Sequence, residues 1–245
     1  MTWLGHATVL VEIGGRRLLT DPVLGSRVGA LRRVVPAPGA GSTDSVDAVL
    51  VSHLHADHTD LRSLRRLGRS ALLVATPGVA AWLRRRGFTR LRELSPGATT
   101  IIEPVAVEAT TARHPGRRWP HTRAAEAAGF LVSAERCVYF AGDTDLFPEM
   151  GSLAGHVDLA LLPVWGWGPA LGPGHLDPRR AAEAAAIIQP RVAVPIHWGT
   201  LRLPWASRAR NRLARPAHEF AEEVARIAPD VEVRLLAPGE RTALA

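Results

Sequence analysis

The sequence predicts a mixed α/β fold in which two β-sheets pack against each other and helices lie outside them. Short segments of β-branched and apolar residues occur in both halves of the chain, and segments with helical spacing lie between them. The 245 residues, of which 47% are hydrophobic, are enough to bury a full core, and no internal repeat divides them. We therefore expect a single domain over residues 1–245.

The first half begins with a predicted hairpin. Residues 7–13 alternate loosely, Gly14 and Gly15 supply a tight turn, and residues 16–20 return. Residues 25–46 are rich in Gly, Pro, Ser and Arg, which is typical of a long ordered loop. After this loop we expect a buried strand over 47–52, a helix over 60–67, a strand over 71–75 and a helix over 77–86.

The second half is richer in strands. Asp177 and Pro178 mark the start of an amphipathic helix that continues to Ile188, because both residue types favour the first turn. A second helix is predicted over 217–227. The predicted strands span 99–111 with a turn near Glu103 and Pro104, then 129–133, 137–141, 157–164, 192–196 and 231–236.

Composition excludes several chemistries. All 30 basic residues are arginine, so neither a lysine Schiff base nor a P-loop lysine is available. Cys137 is the only cysteine, which excludes an intrachain disulfide and a cysteine-rich zinc site and favours a reducing compartment. The chain opens without a basic targeting region, and its most apolar stretch, 157–171, is interrupted by Asp, Pro and Gly. We expect a soluble, cytoplasmic protein.

The net charge of +7 raises the question of a nucleic-acid partner. The arginines are scattered in small groups, with many alanines between them and no long basic helix. This distribution favours a solvated basic surface over a nucleic-acid interface.

A cluster of metal-ligating residues follows the predicted strand at 47–52. His53, His55, Asp57 and His58 lie within six residues, and the i, i+2 spacing turns His53 and His55 to the same side. Three further candidates, His114, Asp143 and His197, each follow another predicted strand. Each of them alone is more often solvated or hydrogen-bonded, but together the seven residues form a candidate divalent-metal site.

The motifs around these residues resemble the metallo-β-lactamase superfamily, and in particular the branch that contains N-acyl phosphatidylethanolamine phospholipase D. The resemblance rests on Trp3-Leu4-Gly5-His6-Ala7-Thr8, Thr20-Asp21-Pro22, the His53–His58 cluster, Phe140-Ala141-Gly142-Asp143-Thr144, His175-Leu176-Asp177-Pro178 and Ile196-His197-Trp198-Gly199-Thr200. It implies an α/β (α+β) chain folded as a four-layer αββα sandwich.

The resemblance also implies a binuclear centre. It assigns His53, His55 and His114 to one ion, assigns Asp57, His58 and His197 to the other, and makes Asp143 the bridge. The two divalent ions are expected to be zinc, with manganese or iron as alternatives. A water or hydroxide shared by the ions is the expected nucleophile, and Asp57 is a candidate to orient it or take its proton.

Three more polar residues match the family's motifs. Asp21 is expected to hydrogen-bond a ligand imidazole, unless it only caps the turn before Pro22. His6 is expected to make a structural hydrogen bond. His175 is a candidate catalytic donor to a developing oxyanion or leaving group, or alternatively a cap of the helix that starts at Pro178.

Substrate contacts are predicted from tryptophan and arginine. Five of the seven tryptophans lie on predicted loops near the ligands, namely Trp119, Trp165, Trp167, Trp198 and Trp205. We expect Trp165, Trp167 and Trp198 to line a pocket and Arg117, next to Arg118, to meet a phosphate or carboxylate, although core packing and surface solvation explain the same residues.

Three functions remain open from the sequence. The leading hypothesis is a metal-dependent hydrolase that cleaves a phosphodiester or other ester-like bond of a small or lipid-like molecule. A lactonase, including a sugar-phosphate lactone hydrolase, needs the same ligands. A nucleic-acid processing or binding protein would instead use the basic surface.

Overall fold

A computed structural model describes residues 1–68, 71–118, 124–167, 171–205 and 210–244. Its elements in chain order are β1 (Thr2–Gly5), β2 (Thr8–Ile13), β3 (Arg16–Thr20), β4 (Arg27–Val28), β5 (Leu31–Arg33), β6 (Ala48–Val51), α1 (Leu61–Arg66), β7 (Leu72–Ala75), α2 (Pro77–Arg84), β8 (Leu91–Glu93), β9 (Thr99–Ile102), β10 (Val105–Thr111), β11 (Ala128–Ser133), β12 (Cys137–Phe140), β13 (Leu159–Pro163), α3 (Pro178–Ile188), β14 (Val192–Ile196), β15 (Leu201–Arg202), α4 (Arg210–Ile227) and β16 (Glu232–Val233). Two 3-10 helices, Ala40–Thr43 and Pro148–Leu153, complete this part of the chain.

The strands form two large sheets and one small one. The first sheet has the order β1-β2-β3-β6-β7-β8, and the second has the order β16-β14-β13-β12-β11-β10-β9. The strands β3, β6, β7 and β8 run parallel, as do β12, β13, β14 and β16. The third sheet, β15-β5-β4, pairs a short hairpin with the segment after His197.

Alternation along each strand decides which layer a side chain enters. In β6, Leu50 joins a core cluster that contains Phe130 and Phe140 of the second sheet, so the two sheets pack face to face. Its neighbour Val49 points to the opposite face and packs with Leu83 of α2.

The second sheet shows the same division of its two faces. Phe140 of β12 faces the first sheet, whereas Tyr139 packs with Phe220 of α4 in the outer cluster. The layers are therefore helix, sheet, sheet and helix, which confirms the predicted αββα sandwich.

Helices α1 and α3 begin at capping residues that were visible in the sequence. The carboxylate of Asp60 accepts hydrogen bonds from the backbone N–H groups of Arg62 and Ser63, which caps α1. Asp177 caps α3 in the same way through Arg180 N–H. These caps fix the chain directly after the His53–His58 cluster and after His175.

Several segments differ from the sequence prediction. Residues 25–46 are not one long loop, because β4 and β5 form a hairpin in which Gly29 adopts a φ of +54° at the tip. The strands β1, β8 and β15 were not predicted from the sequence. They have two to four residues each, and such short strands show no measurable alternation of apolar and polar residues. Helix α4 starts at Arg210 instead of residue 217, and it contains Pro216 within its first two turns.

Among the described residues, no helix combines the length and the apolar character needed to cross a bilayer.

Candidate metal centre

The candidate ligands meet where strands of both large sheets end. His53, His55, Asp57 and His58 occupy the turn between β6 and α1. His114 follows β10, Asp143 follows β12 and His197 follows β14. The structure therefore brings together all seven residues that the sequence grouped.

Their ligand atoms form compact groups. His53, His55, His114 and Asp143 make one group, and Asp57, His58 and His197 make another together with His6; within each group the atoms lie within 4.8 Å of one another. Asp143 lies between the groups, with its Oδ2 3.2 Å from His58 Nε2 and its Oδ1 3.3 Å from His197 Nε2. Its Oδ2 is 3.9 Å from His53 Nε2.

The histidines of the second group are oriented from outside the centre. His58 Nδ1 lies 2.7 Å from Asp21 Oδ2, so this nitrogen donates to the buried carboxylate. His197 Nδ1 lies 2.6 Å from the carbonyl oxygen of Trp165 and donates to it. The Nε2 atoms of His58 and His197 then face each other across 2.9 Å.

The first group shows the same arrangement. His114 Nδ1 donates to the carbonyl oxygen of Gly174 at 2.8 Å, and its Nε2 faces His55 Nδ1 across 2.9 Å. His53 Nε2 is buried and has no hydrogen-bond partner in the described part of the chain, and the same holds for Asp143 Oδ1.

These contacts fit a cation. A neutral imidazole that donates through one nitrogen presents a lone pair on the other, so the facing nitrogens repel unless a positive charge lies between them. Nitrogen and carboxylate oxygen are ligands that suit zinc and neighbouring divalent metals. The orphaned nitrogen of His53 and oxygen of Asp143 point to the same conclusion.

Burial keeps several of these imidazoles neutral. It lowers the pKa of His114 to about 4, and it lowers the pKa of His6 to about 3, so both rings are uncharged at neutral pH. Burial also acts to raise the pKa of Asp143, but the charges of His197 and His58 outweigh it and hold that pKa well below its usual range. Burial acts to lower the pKa of His58 as well, but the charges of Asp143 and Asp57 outweigh it and raise that pKa well above its usual range. The metal-free centre therefore holds a protonated His58 ring beside the ionised Asp143 carboxylate.

Asp57 has two neutral donors on one oxygen. Its Oδ2 lies 3.0 Å from His6 Nε2 and accepts a hydrogen bond of 2.9 Å from Trp167 Nε1. The backbone of His6 is in the left-handed region, with a φ of +54°. The centroid of its ring lies 3.9 Å from that of His197, and its backbone carbonyl oxygen accepts a hydrogen bond from the backbone N–H of His197. The structural hydrogen bond expected for His6 is therefore made directly to a candidate ligand.

His175 lies at the edge of the centre. Its Nε2 is 3.4 Å from Asp143 Oδ2, and its Nδ1 donates to the carbonyl oxygen of Gly172 at 3.0 Å. Burial acts to lower the pKa of His175, but the hydrogen bond to Asp143 and the charge of that carboxylate outweigh it and raise the pKa.

A cavity of about 390 Å³ opens onto these residues. His55, Asp57, Asp143, His175 and His197 line it on the polar side. The apolar side is lined by Val28, Ala30, Leu31, Ala56, Trp167, Leu171 and Leu203, and Arg118 adds a positive charge. The cavity has the size and mixed lining of a small-molecule site.

Only some of the residues predicted to contact substrate line this cavity. Trp167 lines this cavity as predicted. Trp165 instead contributes its backbone carbonyl oxygen, which accepts a hydrogen bond from His197. Trp198 lines a different cavity, because its side chain turns away from that of the preceding His197. Arg117 is exposed, and Arg118 takes the place at the cavity. The side chain of Trp205 is 77% exposed, and Trp119 lies outside the described residues.

Sequence reasoning missed several contributors to this cavity. The tip of the β4–β5 hairpin supplies Gly29 and Ala30, and Leu171 comes from the segment before His175. The pair Gly29-Ala30 between short apolar residues was the available hairpin signal. The sequence offered no signal to choose between Arg117 and Arg118, because the two arginines are adjacent.

The fold and the metal-ligating clusters are those of the metallo-β-lactamase superfamily, and comparison with known proteins agrees. The Beta-lactamase superfamily domain matches residues 16–198, so the chain belongs to this family. A UPF0173 metal-dependent hydrolase from Methanopyrus kandleri is 34% identical over 251 residues, which is 98% of this chain and 97% of the relative.

Two further relatives are longer than this chain. An uncharacterized protein of Mycobacterium tuberculosis is 34% identical over 241 residues, covering 89% of this chain, and the match spans 64% of the relative's length. The N-acyl-phosphatidylethanolamine-hydrolyzing phospholipase D 1 of Caenorhabditis elegans is 28% identical over 225 residues, covering 81% of this chain and 63% of the relative.

A solved structure shares the fold. The metallo hydrolase Igni18 from Ignicoccus hospitalis superposes with a TM-score of 0.73 at 23% identity and covers 98% of this chain and 95% of its own.

Proposed function

We propose that the protein is a binuclear hydrolase that cleaves a phosphodiester or a related ester bond in a small or lipid-like molecule. The observation that carries the proposal is the pair of facing imidazole nitrogens in each ligand group, with the Asp143 carboxylate between the two groups. The similarity to the phospholipase D of C. elegans supports a phosphodiester as the scissile group.

We assign His53, His55 and His114 to one ion and Asp57, His58 and His197 to the other, with Asp143 shared. Zinc is the metal we expect, because imidazole and carboxylate are its common ligands, and manganese and iron use the same donors. When bound, the ions supply Lewis acidity at the scissile group and lower the pKa of water. Every other contribution to the reaction comes from the side chains of this chain.

Asp57 controls the proton of the attacking water in this proposal. His6 and Trp167 both approach Asp57 Oδ2 and fix the orientation of that carboxylate. The Asp57 carboxylate, whose Oδ2 lies 3.7 Å from His197 Nε2 and 3.8 Å from His58 Nε2, would hold the ion with these two rings. The same carboxylate would take the proton of the attacking water. Fixing the carboxylate in advance removes a rearrangement that the reaction would otherwise require.

His175 is the proposed proton donor to the leaving group. It lines the cavity and stands outside both four-residue ligand groups. Because its Nδ1–H is committed to the carbonyl of Gly172, protonation takes place on Nε2, the nitrogen that faces Asp143. A protonated Nε2 can neutralise the oxygen that departs when the ester bond breaks.

The cavity favours a substrate with an apolar group and a negative charge. Leu31, Trp167 and Leu203 offer a surface for an acyl or aryl group. Arg118 Nη1 is held by the carbonyl oxygens of Leu54 and Thr59, at 3.0 and 2.7 Å, so the guanidinium is fixed where a phosphate can meet it.

A polynucleotide substrate has less support. Part of the basic surface is already paired locally, as in Arg84 with Glu93, Arg179 with Glu183 and Arg215 with Glu219. The lone Cys137 is in keeping with a reducing compartment, and we propose the cytoplasm.

The test combines metal analysis with substrate profiling. We would measure bound metal by elemental analysis of protein purified without chelators, and turnover of bis(p-nitrophenyl) phosphate, a lactone panel and single-stranded RNA. The variants Asp143→Ala and His55→Ala are compared with the exposed controls Asp230→Ala and His156→Ala.

We expect two metals per chain and phosphodiester turnover in the wild type and both controls, with metal and turnover lost from the two site variants. Lactone turnover without phosphodiester turnover would replace the substrate class by the lactonase alternative. RNA cleavage would favour the nucleic-acid alternative, and absence of bound metal after reconstitution would overturn the proposal.

A further inference from the structure

A second cavity, of about 540 Å³, shares no lining residue with the cavity at the metal centre. We call it the tryptophan cavity, and it is lined in part by Trp3, Arg33, Trp198, Arg202, Leu213 and Ala214. β1, the β5–β15 pair, the turn after His197 and helix α4 contribute these residues. Nothing in the proposed hydrolysis uses this space.

Arg33 gives the tryptophan cavity a positive charge without a carboxylate partner. Its guanidinium donates to the backbone carbonyl oxygens of Leu4, Val23 and Pro36 at 3.2, 2.8 and 3.4 Å. Among the described residues it forms no ion pair, and its Nε has no hydrogen-bond partner. Burial lowers the pKa of Arg33, and the guanidinium remains charged at neutral pH.

A second guanidinium lies in the neighbouring strand. β15 pairs with β5, placing Leu201 opposite Arg33 and Arg202 opposite Arg32. The Arg202 side chain is largely buried, and its Nη1 donates to the carbonyl oxygens of Leu203 and Pro204 at 3.0 and 2.9 Å. Carbonyl oxygens are neutral, so the bonds of Arg33 orient its guanidinium without neutralising its charge.

The rest of the lining is aromatic and apolar. The ring of Trp198 stacks on that of Trp3, with centroids 4.9 Å apart and planes inclined by 29°. Because Trp3 is fully buried and Trp198 is partly exposed, Trp198 supplies the accessible aromatic surface. Leu213 and Pro36 add apolar contacts. A fixed aromatic ring beside buried positive charge is a combination that selects flat anionic molecules.

We propose that the tryptophan cavity binds a small molecule that carries one anionic group, a carboxylate or a phosphate, on a planar aromatic ring. The anionic group pairs with Arg33, and the ring packs against Trp198 and Leu213. The cavity volume lies in the range that such molecules fill. This site is separate from the metal centre, so its existence does not depend on the proposed hydrolysis.

Isothermal titration calorimetry of the metal-loaded protein tests the proposal with four probes. Indole-3-acetate and adenosine 5′-monophosphate carry a ring with a carboxylate or a phosphate, while indole and acetate each supply half of the chemistry. We expect one molecule of at least one aromatic anion per chain, bound about tenfold or more tightly than indole or acetate. The probe that binds identifies the anionic group.

Two variants locate the binding site. Ala214→Phe fills the tryptophan cavity without removing an arginine contact, and Arg33→Met removes the charge. Each should weaken binding about tenfold or more. The exposed neighbour variant Arg32→Met and the metal-centre variant Asp143→Ala should leave the affinity unchanged.

If Arg33→Met proves unfolded by circular dichroism, Ala214→Phe alone decides, because its substitution leaves the carbonyl contacts of Arg33 in place. The proposal is overturned if neither aromatic anion binds at millimolar concentration, if Ala214→Phe keeps wild-type affinity, or if Asp143→Ala abolishes binding.

Discussion

Each oriented histidine of the metal centre has one ring nitrogen committed to a partner outside the ligand groups or at their edge. Asp21 holds His58, the carbonyl oxygen of Trp165 holds His197, and the carbonyl oxygen of Gly174 holds His114. These contacts select the tautomer of each ring and aim the other nitrogen at the centre. The geometry of the ligands is therefore set by the fold before any ion arrives.

His6 acts on this centre through Asp57, and the substitution His6→Gln tests that role. Loss of the 3.0 Å contact to Asp57 Oδ2 should reduce kcat about tenfold or more and leave metal content unchanged, because Trp167 still holds the same oxygen. Elemental analysis and kcat for bis(p-nitrophenyl) phosphate check this. Loss of metal in the variant would instead make His6 a ligand.

The buried histidines also predict how the metal-free protein responds to acid. Burial holds the pKa of His114 at about 4 and that of His6 at about 3, whereas unfolded histidine titrates near 6.5. Between about pH 6.5 and 4 the unfolded chain binds more protons, so the stability contributed by these two rings falls as the pH is lowered. The unfolding temperature measured in chelator should decrease over this interval.

The matched control for this acid response is His6→Gln, which removes one of the two titrating rings. Its unfolding temperature should depend less steeply on pH than that of the wild type. An equally steep dependence in the variant would show that other groups control the response.

At the scale of single residues, the sequence identified the candidate metal ligands because four of them lie within six residues and the others follow predicted strands. It did not distinguish Arg117 from Arg118, since the choice depends on how the chain turns after Gly116. The side-chain direction of Trp198 was equally hidden, because it depends on the left-handed conformation of His197, whose φ is +65°. Such backbone angles are set by tertiary contacts.

The β4–β5 hairpin is the element with the greatest expected influence on substrate choice. Its tip residue Ala30 is exposed and lines the metal-centre cavity. Ala30→Glu places a negative charge beside the site and should lower kcat/KM for bis(p-nitrophenyl) phosphate about tenfold, through KM, by repelling the anionic substrate.

Ala30→Leu is the neutral control for the hairpin. It should leave kcat/KM for the same substrate within about twofold, since it extends the apolar side of the cavity. A similar loss in both variants would attribute the effect to altered hairpin shape.

Longer elements were predictable where their periodicity was strong, as in β2, β3, α3 and β14. The hairpin was not, because strands of two and three residues carry no period and their pairing depends on β15, which lies far along the chain. The four-layer order followed from the alternation of strands and helices.

At the scale of the whole molecule, one core joins the two large sheets. Phe130 is fully buried in the cluster to which both sheets contribute. We propose that residues 1–245 unfold as one domain, and we expect Phe130→Ala to lower the free energy of unfolding by about 3–5 kcal/mol in a single transition.

Urea unfolding followed in parallel by circular dichroism and tryptophan fluorescence measures this change. Ile101→Ala on the edge strand β9 is the control, because Ile101 is 47% exposed and should contribute little. Separate transitions for the two signals would contradict the single domain.

The division of the two large sheets along the sequence has a practical consequence. Every strand of the first sheet ends by Glu93, and every strand of the second begins at or after Thr99. The ligands His53 and His55 belong to the first stretch and His114 and Asp143 to the second, so a complete ligand group exists only when both stretches are present.

If the chain is divided in the exposed turn around Gly97, metal binding therefore reports whether the two fragments have associated. We expect zinc to increase the association constant of co-expressed halves 1–96 and 97–245, measured by pull-down in zinc and in chelator, whereas halves carrying His55→Ala should associate equally in both.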